Sequence, residues 1–215
     1  MVVLLKQERN NMKWQKDLLT DIRTHSEKDD ICDPIGFGSP FKEKLKRPTT
    51  SEFNECNHDA LQQAINACKQ KAKYFLEIGV CRNQETSSTY TIIRNVPEDG
   101  IFFGVDLEDK TSLNSQNVKT IKEDSNNRDT VISWINSFGV EHLDFIHIDA
   151  KHSINQVLND WEYTSLLAAG GVVAFHDTTA HPGPHSLINV LDPNKWEVYP
   201  NICPDDYGFG YCILK

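Results

Sequence analysis

The sequence predicts an α/β protein whose core is a mostly parallel sheet with helices on both faces. Three observations carry that expectation. From Tyr74 onward, short apolar runs alternate with helix-like stretches, the rhythm of repeated βαβ units. The runs are nearly continuously apolar, as strands covered on both faces are. Several of them close on a carboxylate at the same point of the repeat.

The elements follow in order. Residues 1–73 read as an N-terminal helical and irregular extension, and residues 74–215 as the sheet domain. Met12 to Arg23 has Trp14, Leu18, Leu19 and Ile22 at helical spacing. The stretch DDICDPIGFGSPFKEKLKRPTTSEF is broken by Gly and Pro. Asn57-His58-Asp59 can cap a helix from about Ala60 to Lys73, with Leu61, Ile65 and Cys68 on one face. The strand-like runs are Tyr74 to Val80, Ile101 to Leu107, Val118 to Asp124, Leu143 to Asp149 and Gly171 to Asp177. Helices are expected near Glu85 to Asn95, Arg128 to Phe138 and Ile154 to Leu167, with Trp161 and Tyr163 in the core. Two further β-like runs, split by Pro and Gly, close the chain as a hairpin. The whole is a Rossmann-like, doubly wound, seven-stranded sheet.

The bulk numbers narrow the function. With 215 residues, 39 % hydrophobic and 25 % charged, the chain can bury a sizeable core. A net charge of −9 argues against a partner held by phosphate contacts, so no nucleic acid is expected. A local basic cluster, Lys42, Lys44, Lys46 and Arg47, reads as a solvated segment. No run is long enough to span a membrane, and the four apolar residues Val2 to Leu5 are too few for a signal-peptide core. The six scattered cysteines form no C-x-x-C pair. They read as reduced thiols of a cytoplasmic protein.

Glu77, Asp106, Asp124, Asp149 and Asp177 lie at or near the ends of five runs. In an open α/β sheet, ligands bind outside the carboxyl ends of the strands, so five acids there would line one cleft. Glu77-Ile78-Gly79 puts a glycine after the first strand, where backbone can approach a ligand closely. There is no G-x-G-x-x-G and no Walker A motif, which counts against NAD and nucleotide phosphates. Asp106 lies 27 positions after Gly79. An acid at that place accepts hydrogen bonds from ribose hydroxyls. The combination suits a nucleoside without a pyrophosphate. The plain alternatives are a tight turn at Gly79 and a surface acid at Asp106.

On these residues the chain resembles the class I S-adenosylmethionine-dependent methyltransferases, over roughly the last two thirds of its length. LEIGVCRNQETSSTY, IFFGVDLED, EDSNN, DFIHIDAKHSINQVLNDWEYTSLLAAGGVVAFHDT and GFGYCIL are most similar to the branch of cephalosporin-hydroxylase-like and macrocin-type O-methyltransferases. The resemblance implies that Glu77 and Gly79 border the methionine part of the cofactor. It implies that Asp106 holds the ribose and that Asp124 and Ser125 sit by the adenine. Cys81-Arg82-Asn83-Gln84 departs from the glycine that many relatives carry.

Methylating an unactivated hydroxyl requires the oxygen to lose its proton as it attacks. A divalent cation can lower the hydroxyl pKa, and a nearby imidazole can take the proton near neutral pH. Asp149 and Asp177, at the tips of neighbouring strands, can share one cation. Hard oxygen ligands suit Mg²⁺, with Mn²⁺ as the alternative. Macrocin-type relatives hold Mg²⁺ at these strand ends, and there the D-x-x-H histidine is the proposed base. Here that pattern is Asp149-Ala150-Lys151-His152. Where relatives have a second acid before the later aspartate, this chain has His176. Where caffeoyl-type enzymes have an amide after it, this chain has Thr178.

His176 is therefore a candidate third ligand, which would favour Mn²⁺, Fe²⁺ or Zn²⁺. Strand alternation nonetheless aims it away from Asp177, as a supporting residue. Asp149 has a plainer reading too, as the cap of the next helix with His152 in its first turn. His181 and His185 belong to a polar loop that either binds the acceptor or only covers the site.

The expected function is a metal-assisted O-methyltransferase acting on a hydroxyl of a sugar, glycan or small natural product. The alternatives are a non-catalytic cofactor-binding module of the same fold and a metal-dependent hydrolase. Residues 1–73 would serve as a substrate lid or a contact between copies of the chain.

Overall fold

The structure, a computed structural model, describes residues 55–80, 87–179, 181–203 and 207–215. The helix expected over Met12 to Arg23, the basic cluster and the Cys81–Gln84 departure lie outside these residues.

The elements run α1 (Glu55–Asn66), β1 (Tyr74–Ile78), α2 (Ser88–Asn95), β2 (Ile101–Asp106), β3 (Val118–Lys122), α3 (Arg128–Asn136), β4 (Leu143–Ile148), α4 (Ile154–Trp161), β5 (Leu167–His176), α5 (Pro182–Ile188), β6 (Trp196–Tyr199) and β7 (Phe209–Leu214). The seven strands order as β3-β2-β1-β4-β5-β7-β6. The first five are parallel, and β7 is antiparallel to both β5 and β6. The order reverses between β1 and β4, so the crevice expected at a topological switch point opens there.

Each strand feeds two cores, because successive side chains leave a strand on opposite faces. Leu76, Ile78, Phe103, Val105, Ile146, Ile148, Val173 and Phe175 pack under α3, α4 and α5. Phe75, Phe102, Phe145, Val172 and Ala174 pack under α1 and α2 with Ile92, Leu61 and Ile65. Phe75, Phe102, Phe103, Phe145 and Phe175 are wholly buried, each contributing about 2–3 kcal/mol by transfer from water. Trp161 and Tyr163 are core residues, as the apolar spacing predicted.

Four expectations are corrected. The N-terminal helix starts at Glu55, not near Ala60, so Asn57 is a wholly buried residue of its first turn instead of a cap. β5 begins at Leu167, four residues before the apolar run; an irregular register with β4 absorbs the extra length. The segment after Asp177 is not all loop. Pro182 at the first helical position needs no N–H donor there, so the Pro-Gly-Pro stretch opens α5. Finally, Cys56 and Cys203 form a disulfide with Cα atoms 5.9 Å apart. A pairing across 147 residues leaves no spacing signal, which is why the cysteines read as thiols. Cys68 and Cys212 are free.

Candidate active site

The carboxyl ends of β2, β1, β4 and β5 stand side by side. Gly79 follows β1 with φ of 89°, a left-handed conformation natural to glycine. A Cβ there would stand 2.2 Å from the Asp149 carbonyl oxygen. The glycine turn therefore lies directly on the end of β4. Asp106 locks this turn from the other side. Its carboxylate accepts from Val80 N–H at 2.8 Å and from Glu108 N–H at 2.7 Å. Each oxygen of the half-buried carboxylate has accepting capacity beyond these bonds.

Glu77 is placed differently from its neighbours. Its carboxylate is fully buried, accepting from Ser88 Oγ at 2.7 Å and Thr89 Oγ1 at 2.5 Å, with His147 Nδ1 at 3.1 Å. It ties the start of α2 to the sheet, a role invisible in the sequence because Ser88, Thr89 and His147 come from two other elements. Asp124 closes a tight turn by accepting from Asn126 N–H at 2.9 Å. Ser125 is buried and donates to Asp160 at 2.7 Å, while Gln156 Nε2 donates to both at 2.9 Å. Burial pushes the Asp160 carboxyl up to about 6 despite these hydrogen bonds.

At β4 and β5 the ionisable groups close into a ring. His152 Nε2 lies 3.4 Å from Asp149 Oδ1 and 2.9 Å from Asp177 Oδ2. His176 Nδ1 lies 3.5 Å from the same Asp149 oxygen and 3.2 Å from the same Asp177 oxygen. Carboxylate and imidazole thus alternate around one point. Strand alternation predicted that His176 and Asp177 point apart. It fails because Asp177 has φ of 63° and leaves the β conformation, swinging its carboxylate back beside His176. Asp149 does not cap α4; Ser153 does, accepting from Gln156 N–H.

The electrostatics follow from the ring. Burial alone would push both imidazoles down. For His152 the Asp177 charge and hydrogen bonds to both carboxylates outweigh it, holding the ring up at about 10. His176 is raised for the same reasons. Burial would raise Asp149 and Asp177, yet His176 and His152 hold both well below the ordinary carboxylate range.

Two further side chains border the ring: Asn57, which the sequence suggests only as a helix cap, and His181, which it places on a loop beside the site. Asn57 Nδ2 is 3.1 Å from His176 Nε2, reaching it from α1. The His181 ring lies 4.5 Å from the His152 ring, tilted by 39°. It is held there because Gly183 N–H donates to the His152 carbonyl at 2.9 Å, and a Cβ at Gly183 would stand 2.5 Å from that oxygen. Glycine here lets α5 rest directly on the backbone of His152. His185, in α5, stays behind, with Nδ1 2.9 Å from the Thr178 carbonyl.

A methyltransferase-domain family model matches residues 61–178, more than half of the chain. The chain belongs to the class I S-adenosylmethionine-dependent methyltransferase family. The methyltransferase is similar in fold to MycE methyltransferase from the mycinamycin biosynthetic pathway, in complex with Mg, SAH and mycinamycin VI. The TM-score is 0.54 at 14 % identity, over 82 % of this chain and 53 % of MycE. This chain thus spans about half the length of MycE. A fibrillarin pre-rRNA processing protein from Methanococcus jannaschii matches with a TM-score of 0.50 at 14 % identity, over 82 % of this chain and 84 % of its own. No curated protein matches by sequence. Among the described residues of the methyltransferase, no helix is long and apolar enough to cross a membrane.

Proposed function

We propose that this methyltransferase is a divalent-cation-assisted O-methyltransferase acting on a hydroxyl of a sugar, glycan or small natural product. The observation that carries the reading is the ring of Asp149, His152, Asp177 and His176 on the rim that also holds Gly79 and Asp106. Asp106 and the ring sit at the ends of strands two and three places apart. At about 4.8 Å per strand, that leaves room for a nucleoside beside a cation.

In this reading Gly79 admits the methionine part of S-adenosylmethionine, Asp106 accepts from the ribose hydroxyls, and the Asp124–Ser125 turn flanks the adenine. Asp149, His176 and Asp177 offer ligand atoms within 4.8 Å of one another and would hold the cation. When bound, the cation supplies Lewis-acid polarisation of the acceptor hydroxyl. His152, with its side chain more exposed than that of His176 (19 % against 6 %), would face the acceptor. The Asp149 and Asp177 charges that keep its ring protonated would be offset by a bound cation, and the neutral imidazole would then take the hydroxyl proton. The hydroxyl oxygen attacks the methyl carbon, and the carbon–sulfur electrons return to sulfur. The products are a methyl ether, S-adenosylhomocysteine and a protonated His152.

MycE, bound to Mg and mycinamycin VI, supports a natural-product acceptor and a cation. Fibrillarin, a pre-rRNA processing protein, points to RNA instead. A net charge of −9 weighs against RNA here, since phosphate binding needs a basic face. The test is transfer of labelled methyl to a panel of hydroxylated sugars, macrolides and RNA, with and without EDTA. Labelling of small hydroxylated acceptors that chelation abolishes is the expected result. Labelling of RNA alone overturns the acceptor class, and activity untouched by thorough chelation overturns the cation's role.

A further inference from the structure

The donor set at β5 departs from an all-oxygen site. Val172 and Ala174 face α1, so His176 falls on that side too. The left-handed backbone at Asp177 then brings its carboxylate round to meet the His176 ring. Two donors sharing a cation at bonds of about 2.1 Å stand about 3.0 Å apart at a right angle and about 3.4 Å at the tetrahedral angle. His176 Nδ1 stands 3.2 Å from Asp177, inside that range, and 3.5 Å from Asp149, at its outer edge.

The far side of the imidazole is held as well. Asn57 is wholly buried, with its amide 3.1 Å from His176 Nε2. An amide can present nitrogen or oxygen by turning over. With oxygen toward the ring, Asn57 accepts Nε2–H and leaves the Nδ1 lone pair aimed between the carboxylates. Metal-binding histidines are oriented by such a partner.

An imidazole nitrogen is a poor ligand for Mg²⁺, which prefers oxygens and retains its waters. It suits the later first-row cations, whose affinity rises along the Irving–Williams order. We infer that Asp149, His176 and Asp177 form a site selective for a first-row transition cation of the Mn²⁺-to-Zn²⁺ series over Mg²⁺, with Asn57 as its positioning residue. The inference rests on the cation-assisted reading above and replaces Mg²⁺ as the cation of first choice.

The test is calorimetric titration of chelator-treated full-length protein with Mg²⁺, Mn²⁺, Co²⁺ and Zn²⁺, without S-adenosylmethionine, together with the visible absorption of the Co²⁺ form. Zn²⁺ and Co²⁺ are expected to bind at least about 100-fold more tightly than Mg²⁺. His176→Asp should weaken Co²⁺ binding, shift its visible bands and narrow the gap to Mg²⁺. Asn57→Ala should weaken Co²⁺ about 10–100-fold with Mg²⁺ affinity unchanged, which keeps the test alive if His176→Asp does not fold. Equal affinity for Mg²⁺ and Zn²⁺, or Co²⁺ binding indifferent to both substitutions, overturns the inference. S-adenosylhomocysteine binding, measured on the same samples, is independent of these outcomes and reports separately on the methyltransferase reading.

Discussion

At Asp177 the backbone takes a left-handed turn that costs a non-glycine residue roughly 1–2 kcal/mol. Asn tolerates that turn well, whereas a β-branched residue does not. Asp177→Asn is therefore expected to unfold in urea within about 1 kcal/mol of the native protein while losing cation affinity in calorimetry. Asp177→Val should lose both. Asp160 gives a pH-dependent prediction. Its buried carboxyl, facing Ser125 and Gln156 with Asp124 and His152 nearby, titrates at about 6, above the roughly 3.9 of an unfolded chain. The folded state thus holds this proton more tightly. The resulting stability is complete below pH 4 and is lost as pH rises through 6. The difference amounts to about 2–3 kcal/mol. Urea unfolding from pH 4 to 8 should show a stability gap between native protein and Asp160→Asn that changes by about this much. A constant gap would place the proton elsewhere.

The glycine turn and the disulfide act at the scale of elements. Gly79 joins the end of β1 to the end of β4 through its missing side chain. Gly79→Ala drives a Cβ into the Asp149 carbonyl and should weaken S-adenosylhomocysteine at least tenfold, read by calorimetry. The disulfide joins the first turn of α1 to the connection between β6 and β7. Replacing both cysteines by serine is expected to cost about 2–4 kcal/mol, read by denaturant unfolding under non-reducing conditions. Elements were legible where apolar spacing was regular. β1, β2, β3 and β4 start where their apolar runs start and stop one or two residues before those runs do, and the carboxylates lie in or beside the turns that follow. α5 was not legible, because Pro182, Gly183 and Pro184 are the residues that usually mark a loop. Nor was the start of β5, where Gly170 and Gly171 interrupt the pattern inside the strand.

For the molecule as a whole, occupancy of the cleft should stabilise the entire fold, since the rim draws on four strands of one sheet. S-adenosylhomocysteine at 100 times its dissociation constant is expected to add about 2.7 kcal/mol, seen as a higher unfolding temperature. No shift at saturation would mean that the rim does not bind the cofactor.

The alternation of strands and helices, and the row of Asp106, Asp124, Asp149 and Asp177 at or just past strand ends, could be read along the chain. Both follow from local periodicity, because a parallel α/β sheet puts every strand's carboxyl end on one edge. Which side chains meet across that edge became visible only once the elements were docked. Asn57 reaches His176 over 119 residues, Cys56 reaches Cys203 over 147, and Asp177 turns toward His176 against the strand rule. Such contacts are set by how α1 docks on the sheet and by one backbone torsion, and no short stretch of sequence carries a signal for either.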